Sequence, residues 1–180
     1  MKCNYFKPII DDTMNTALFW DFENVPIPMT NGELFIKALQ NFISSNNVLY
    51  AKCYTRHQSI SDQQLKQLKS IHTMKIKFVK QNTHNAVDNS LIDSCITVLK
   101  QNYVNKLVLL TSDGDFKRLT KRIIKFPKDV TLICQERQLN RGLLSTIADC
   151  YTMTFLIENP ENWWRKNGIG KKKFYSRKIV

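Results

Sequence analysis

Short apolar runs of strand length alternate with segments of helical spacing along most of this chain. Two of the runs stop at carboxylates. Ala17-Leu18-Phe19-Trp20 is continuously apolar, as a strand buried on both faces requires, and it ends in Asp21. Asn24, Pro26 and Pro28 then break any regular element. Glu33 to Ile43 carries apolar residues at helical spacing, approached through Asn31-Gly32. Val48 to Tyr54 reads as a second strand and Ser61 to Ile71 as an amphipathic helix. Lys75 to Lys80 alternates like an exposed or edge strand, and Asp88 to Tyr103 is the longest helical pattern. Lys106 to Leu110 is the fourth strand, followed by a helix through Phe116, Leu119, Ile123 and Ile124. Val130 to Cys134 is a fifth strand, Arg141 to Ala148 a short helix and Tyr151 to Ile157 a candidate sixth strand. This order predicts an α/β fold with a mostly parallel sheet and right-handed crossovers. With 180 residues, one buried core is the expectation.

In open α/β sheets, ligands bind outside the carboxyl ends of the strands. The stretch Leu107-Val108-Leu109-Leu110-Thr111-Ser112-Asp113-Gly114-Asp115-Phe116 puts two aspartates there. Ser112-x-x-Asp115 also fits a capping box. Asp21 also has a reading as an Asx-turn residue, though its place at the end of an apolar strand favours chemistry, and Asp88 reads as well as an N-cap. If the strand order is 3-2-1-4-5, the first and fourth strands are neighbours, and Asp21, Asp88, Asp113 and Asp115 converge on one edge. Crowded carboxylates repel one another, so a cation is the expected companion. Asp93 lies about 140° round an ideal helix from Asp88 and is the weaker candidate. Oxygen ligands alone suit Mg²⁺ or Mn²⁺ over zinc. His57, His72 and His84 lack paired metal spacing, though His84 sits close to Asp88 and is placed to touch substrate.

The acids stand out because the chain is basic: 27 Lys and Arg against 15 Asp and Glu give +12. Seven of the cations follow Trp163 with no acid among them, and setting these aside still leaves +5. Such an excess points to a polyanionic partner. Lys77, Lys80, His84, Lys171, Lys172 and Lys173 are the candidate phosphate contacts. Tyr54, His57, Trp163 and Trp164 are either core aromatics or base-stacking groups. Cys3, Cys53, Cys95, Cys134 and Cys150 are odd in number and widely spaced, which argues against a disulfide framework or zinc knuckle. No run reaches transmembrane length, so no membrane partner is expected. An intracellular, cytoplasmic protein is the expectation, with the basic tail leaving nuclear entry open. Residues 1–15 read as an N-terminal arm, 16–157 as the folded domain and 158–180 as a basic C-terminal tail.

Three segments carry a family resemblance: Phe19-Trp20-Asp21-Phe22-Glu23-Asn24-Val25, Asn85-Ala86-Val87-Asp88-Asn89 and Leu110-Thr111-Ser112-Asp113-Gly114-Asp115-Phe116. In this order they resemble the signature blocks of NYN domains, the Rossmann-like branch of the PIN-like ribonucleases. The resemblance covers about residues 16 to 157. It implies a PIN-type three-layer sandwich of strand order 3-2-1-4-5, a Mg²⁺ or Mn²⁺ site and hydrolysis of RNA phosphodiesters. By position it makes Asp21, Asp88, Asp113 and Asp115 the acidic site, with Asn24 and Thr111 in support. Many relatives carry a further acid six residues after the counterpart of Asp88, where this chain has Ser94; Asp93 precedes it. The expected activity is therefore that of a metal-dependent endoribonuclease acting on single-stranded or structured RNA through metal-activated water. The alternatives are a catalytically inactive NYN-type RNA-binding module and, more distantly, a Toprim-like or other acidic α/β phosphotransfer enzyme. Toprim domains open with Glu where this chain has Asp21.

Overall fold

The computed structural model describes residues 14–80, 83, 85–116, 119, 122, 126, 128–135, 147, 149–161, 163–164 and 173–175. Its strands are β1 (Thr16–Asp21), β2 (Val48–Thr55), β3 (Met74–Phe78), β4 (Lys106–Leu110), β5 (Asp129–Cys134), β6 (Asp149–Thr152) and β7 (Lys173–Tyr175). The helices are α1 (Gly32–Ser45), α2 (Asp62–Lys69), α3 (Ala86–Leu99) and α4 (Met153–Glu158). The strands pair in parallel in the order β3-β2-β1-β4-β5-β6-β7. The 3-2-1-4-5 core and the sixth strand expected from the sequence are both present.

Alternation along β1 sends its side chains into two separate cores. Leu18 and Trp20 pack with Phe35, Leu39 and Phe42 of α1 and Leu68 of α2. Ala17 and Phe19 pack with Leu91, Cys95 and Val98 of α3 on the opposite face. Every residue of β1 is buried, which explains its lack of polar alternation. Full burial of one such side chain contributes roughly 1.5–3 kcal/mol, so β1 is strongly anchored along its whole length.

Several boundaries differ from the sequence reading, each for a local reason. α3 starts two residues before Asp88: Asn85 is its N-cap, in a left-handed conformation at φ 63°. Asp88 is therefore a first-turn residue rather than the cap. Asn tolerates that conformation better than other non-glycine residues. The helix ends at Leu99, short of Tyr103, whose carbonyl instead accepts a bond from Asn15 Nδ2. α2 begins at a capping box in which Ser61 and Gln64 satisfy one another's backbone N–H groups. Tyr151 to Ile157 is not one strand. β6 stops at Thr152, whose Oγ1 accepts from the Phe155 N–H and starts α4.

Beyond α4, Trp163 is buried, stacked on Phe42 at 4.9 Å and donating its indole N–H to the Ala38 carbonyl at 3.2 Å. Residues 173–175 extend the sheet as β7, so the segment after Ile157 contributes both a core residue and an edge strand. All but Ile147 of the helix expected over 141–148, and most of that after Phe116, lie outside the described residues, as do residues 1–13 of the 1–15 arm. Cys53, Cys95, Cys134 and Cys150 are free thiols and buried, as small apolar residues would be. Among the described residues no helix is long and apolar enough to cross a membrane.

The start of α1 is tightly packed. A Cβ at Gly32 would stand 2.8 Å from Ile27 Cγ2, and Ile27 is buried with a stiff β-branched side chain. Gly32→Ala is therefore expected to destabilise the fold by about 1–3 kcal/mol in chemical denaturation, despite the better helix propensity of alanine.

Candidate active site

The loop after β1 is set by its own first residues. Trp20, buried by its strand, donates its indole N–H to the Val25 carbonyl at 2.6 Å. Phe22 continues the pairing with β2 through a 3.0 Å bond to the Tyr54 carbonyl, and the Val25 N–H returns to the Asp21 carbonyl at 3.0 Å. Phe22 and Val25 are buried, which leaves Glu23 and Asn24 to line a cleft at the carboxyl edge of the sheet. The cleft has a volume of about 450 Å³ and is lined by Glu23, Asn24, Arg56, Asn85, Val87, Asp88 and Asp113.

Asp21 stands immediately behind the cleft wall, fully buried. Its Oδ2 accepts from Asn24 Nδ2 at 2.6 Å and from Thr111 Oγ1 at 3.0 Å, while Oδ1 takes a weaker 3.4 Å bond from the Asn24 N–H. The turn reading of Asp21 and the site reading thus describe the same residue. Burial pushes this carboxyl from its ordinary 3.8 up to about 6. The like charge of Asp88 adds to the rise; the bonds from Asn24 and Thr111 oppose it. Thr111 links two acids: its hydroxyl donates to Asp21 and accepts the Asp113 N–H at 3.2 Å. Ser112 is committed across the sheet, where its Oγ accepts the Gln135 N–H at 2.8 Å and ties the end of β4 to the end of β5. That bond is a role the capping-box reading did not include.

Asp88 and Asp113 line the cleft, and Asp21 lies behind it within electrostatic reach of Asp88. The backbone of Asp115 lies in a 3-10 turn, Gly114–Phe116, directly after Asp113, and its side chain lies outside the described residues. Asp93 is exposed and does not line the cleft. Ser94, in the place of the acid common in relatives, donates instead to the Ser90 carbonyl. Lys77 and Lys80 are exposed, with the Lys77 ammonium 5.5 Å from the Tyr54 ring centroid. Tyr54 and Trp163 are core residues, whereas His57 is exposed. His84, Lys171 and Lys172 lie outside the described residues, as does the Lys173 side chain.

Glu23, Arg56 and Asn85 also line the cleft but were absent from the candidates drawn from sequence. Glu23 pairs with the Arg56 guanidinium at 3.5 Å and accepts the Arg56 N–H at 3.2 Å. Arg56 follows β2, the neighbour of β1, so the strand order itself was the signal for it.

Whether these residues suit a divalent cation turns on Asp21. A buried carboxyl pushed up to about 6 beside a second acid is a group that a nearby cation would stabilise in its ionised form. Among the described residues no three His, Cys, Asp or Glu side chains are gathered closely enough to bind an ion outright. A small hard ion does not require that, because Mg²⁺ is commonly held by one or two carboxylates and keeps several waters. The all-oxygen donor set therefore fits Mg²⁺ or Mn²⁺.

An acidic cleft over the β1–β4 edge of a basic α/β chain is matched by a family model. The NYN domain model matches residues 15–154. The chain belongs to the NYN domain family. NYN domains have a nuclease-type fold and are generally associated with RNA. No curated protein matches the chain in sequence. Among solved structures, a protein of unknown function from Vibrio parahaemolyticus RIMD 2210633 is similar in fold, with a TM-score of 0.62 at 17% identity. The alignment covers 79% of this chain and 94% of that one.

Proposed function

We propose that this NYN domain is an endoribonuclease that hydrolyses RNA phosphodiester bonds with Mg²⁺ or Mn²⁺. The observation that carries the reading is the meeting of Asp88 and Asp113 in one cleft, with Asp21 buried behind it, in a chain of net charge +12. These acids come from three segments far apart in sequence, and mutual repulsion makes such a meeting costly unless it serves a cation. Asp21, Asp88 and Asp113, with Asp115 beside them, would hold the ion directly or through its waters. When bound, the ion lowers the pKa of a water and stabilises charge on the phosphate oxygens. Asn24 and Thr111 fix the Asp21 carboxylate through the bonds at 2.6 and 3.0 Å, as partners behind a metal ligand do. Lys77 and Lys80, with Lys171, Lys172 and Lys173, would contact backbone phosphates and give salt-sensitive, weakly sequence-specific binding.

The test is cleavage of a labelled RNA by the purified protein with Mn²⁺, with EDTA, and with Mn²⁺ restored in excess. Cleavage that disappears in EDTA and returns with Mn²⁺ is expected; cleavage indifferent to both would overturn the reading. Thr111→Val removes both hydroxyl bonds at constant shape. It is expected to lower Mn²⁺ affinity or the cleavage rate about 10–100-fold, read by calorimetry and by initial rates.

A second reading, RNA binding without turnover, is favoured by Ser94, which stands where many relatives carry a further acid and donates to the Ser90 carbonyl instead. It predicts tight RNA binding that Mn²⁺ leaves unchanged, with intact RNA at the end of the incubation.

A further inference from the structure

The cleft has a neighbour that its acids leave unused. After β2 the chain runs through Arg56, which lines the cleft, into a 3-10 turn at His57–Ser59. Glu23 clamps the turn at both ends: its Oε1 accepts the Arg56 N–H at 3.2 Å and the Ser59 hydroxyl at 2.7 Å. His57, the first residue of the turn, is exposed, yet its ring lies parallel on Phe78 with centroids 3.7 Å apart and planes 7° apart. Phe78 ends β3 and is the register partner of Thr55, so the stacked pair stands at the carboxyl edge beside the cleft. The phenyl ring covers one face of the imidazole, and His57 remains an exposed residue. An aromatic ring held flat at an acidic, cation-flanked cleft is a platform for a planar ligand. Arg56 lies between platform and acids: its guanidinium shares the Glu23 carboxylate at 3.5 Å, and its buried Nε has no hydrogen-bond partner among the described residues. Exposed Lys77 and Lys80 flank the same strand end.

We infer that Arg56 and the His57–Phe78 stack form a nucleotide subsite beside the cleft, in which an unpaired base stacks on His57 and its phosphate meets Arg56. This deepens the ribonuclease reading and rests on it: the substrate is RNA single-stranded next to the cut. A base in a duplex is stacked on both faces and cannot offer one to His57, so the subsite discriminates against paired RNA.

The experiment is binding in EDTA, where no turnover occurs, of a short single-stranded RNA carrying 2-aminopurine and of the matching duplex. Wild-type protein is expected to prefer the single strand and to quench 2-aminopurine by stacking. His57→Ala is expected to bind the single strand about tenfold more weakly and lose the quench. His57→Trp, which restores a flat ring, is expected to recover both. Arg56→Gln is expected to lower the salt dependence of binding by about one counterion. Quenching and affinity in His57→Ala equal to those of wild type would overturn the subsite while leaving the ribonuclease reading intact. An equal loss for single strand and duplex, or an Arg56→Gln salt slope equal to that of wild type, would also overturn it. If wild-type protein binds neither RNA in EDTA, the subsite falls, while the ribonuclease reading stands or falls on Mn²⁺-dependent cleavage.

Discussion

Asp113→Asn is expected to reduce Mn²⁺-dependent RNA cleavage to the level of buffer alone while leaving the protein folded and able to bind RNA. The substitution keeps the shape of the side chain and removes one charge. The backbone bond from the Asp113 N–H to Thr111 Oγ1 is indifferent to it, so the turn after β4 should hold its course. Asp113 is only partly buried, unlike Asp21, and its replacement is therefore the cleaner probe of chemistry. Initial rates on one labelled RNA, with binding measured in EDTA and folding by circular dichroism, separate the three effects. Cleavage equal to that of wild type would remove Asp113 from the mechanism.

The second large effect is on stability and runs in the opposite direction. Asp21→Asn is expected to make the metal-free protein more stable at pH 7, by about 1–3 kcal/mol, while abolishing cleavage. The folded protein binds the Asp21 proton with a pKa of about 6, against 3.8 as the ordinary value. Between those values the folded state holds a proton that the unfolded chain has released, so acid favours folding here. The contribution of Asp21 to wild-type stability therefore falls as pH rises from about 3.8 to 6 and is level above that. One pKa unit corresponds to about 1.4 kcal/mol, and an asparagine carries no charge to desolvate. Its side-chain carbonyl still accepts from Asn24 Nδ2 and Thr111 Oγ1. Urea denaturation at pH 4 and pH 7 should show the gap between variant and wild type opening with pH, and Mn²⁺ should narrow it by stabilising the ionised wild type. A variant less stable than wild type at pH 7 would mean that Asp21 is held mainly by its hydrogen bonds.

A carboxylate predicted to cost stability, as Asp21 is, fits the pattern that functional sites show, and it bears on what the sequence could disclose. Asp21 and Asp113 were legible as candidates because Asp21 ends one apolar run of strand length and Asp113 closely follows another, and the carboxyl ends of such strands are where α/β folds bind ligands. The sheet order followed from the alternation together with the NYN resemblance. Asn85 was hidden as a cap because it makes no side-chain bond of the usual kind; its contribution is a left-handed backbone. The β6–α4 boundary was hidden because Tyr151 to Ile157 is apolar nearly throughout, and one hydroxyl on Thr152 decides where the helix starts. Glu23 and Arg56 stand 33 residues apart and meet only because β1 and β2 are neighbours, a tertiary fact with no local signature. Trp163 read as an aromatic of open role until α1 supplied both a ring and a carbonyl to meet it.

Metal-activated water, brought to the phosphate by the acids of the cleft, would leave its mark on the RNA ends it makes. The most direct measurement is the chemistry of the new ends, read by mass spectrometry after incubation of a defined single-stranded RNA with the protein and Mn²⁺. Water attack at the phosphate with departure of the 3′-oxygen leaves a 5′-phosphate and a 3′-hydroxyl, the ends expected of an NYN-type nuclease, and no fragments should form in EDTA. Fragments ending in 2′,3′-cyclic phosphate, formed equally in EDTA, would mean that the RNA's own 2′-hydroxyl is the nucleophile and would contradict the account.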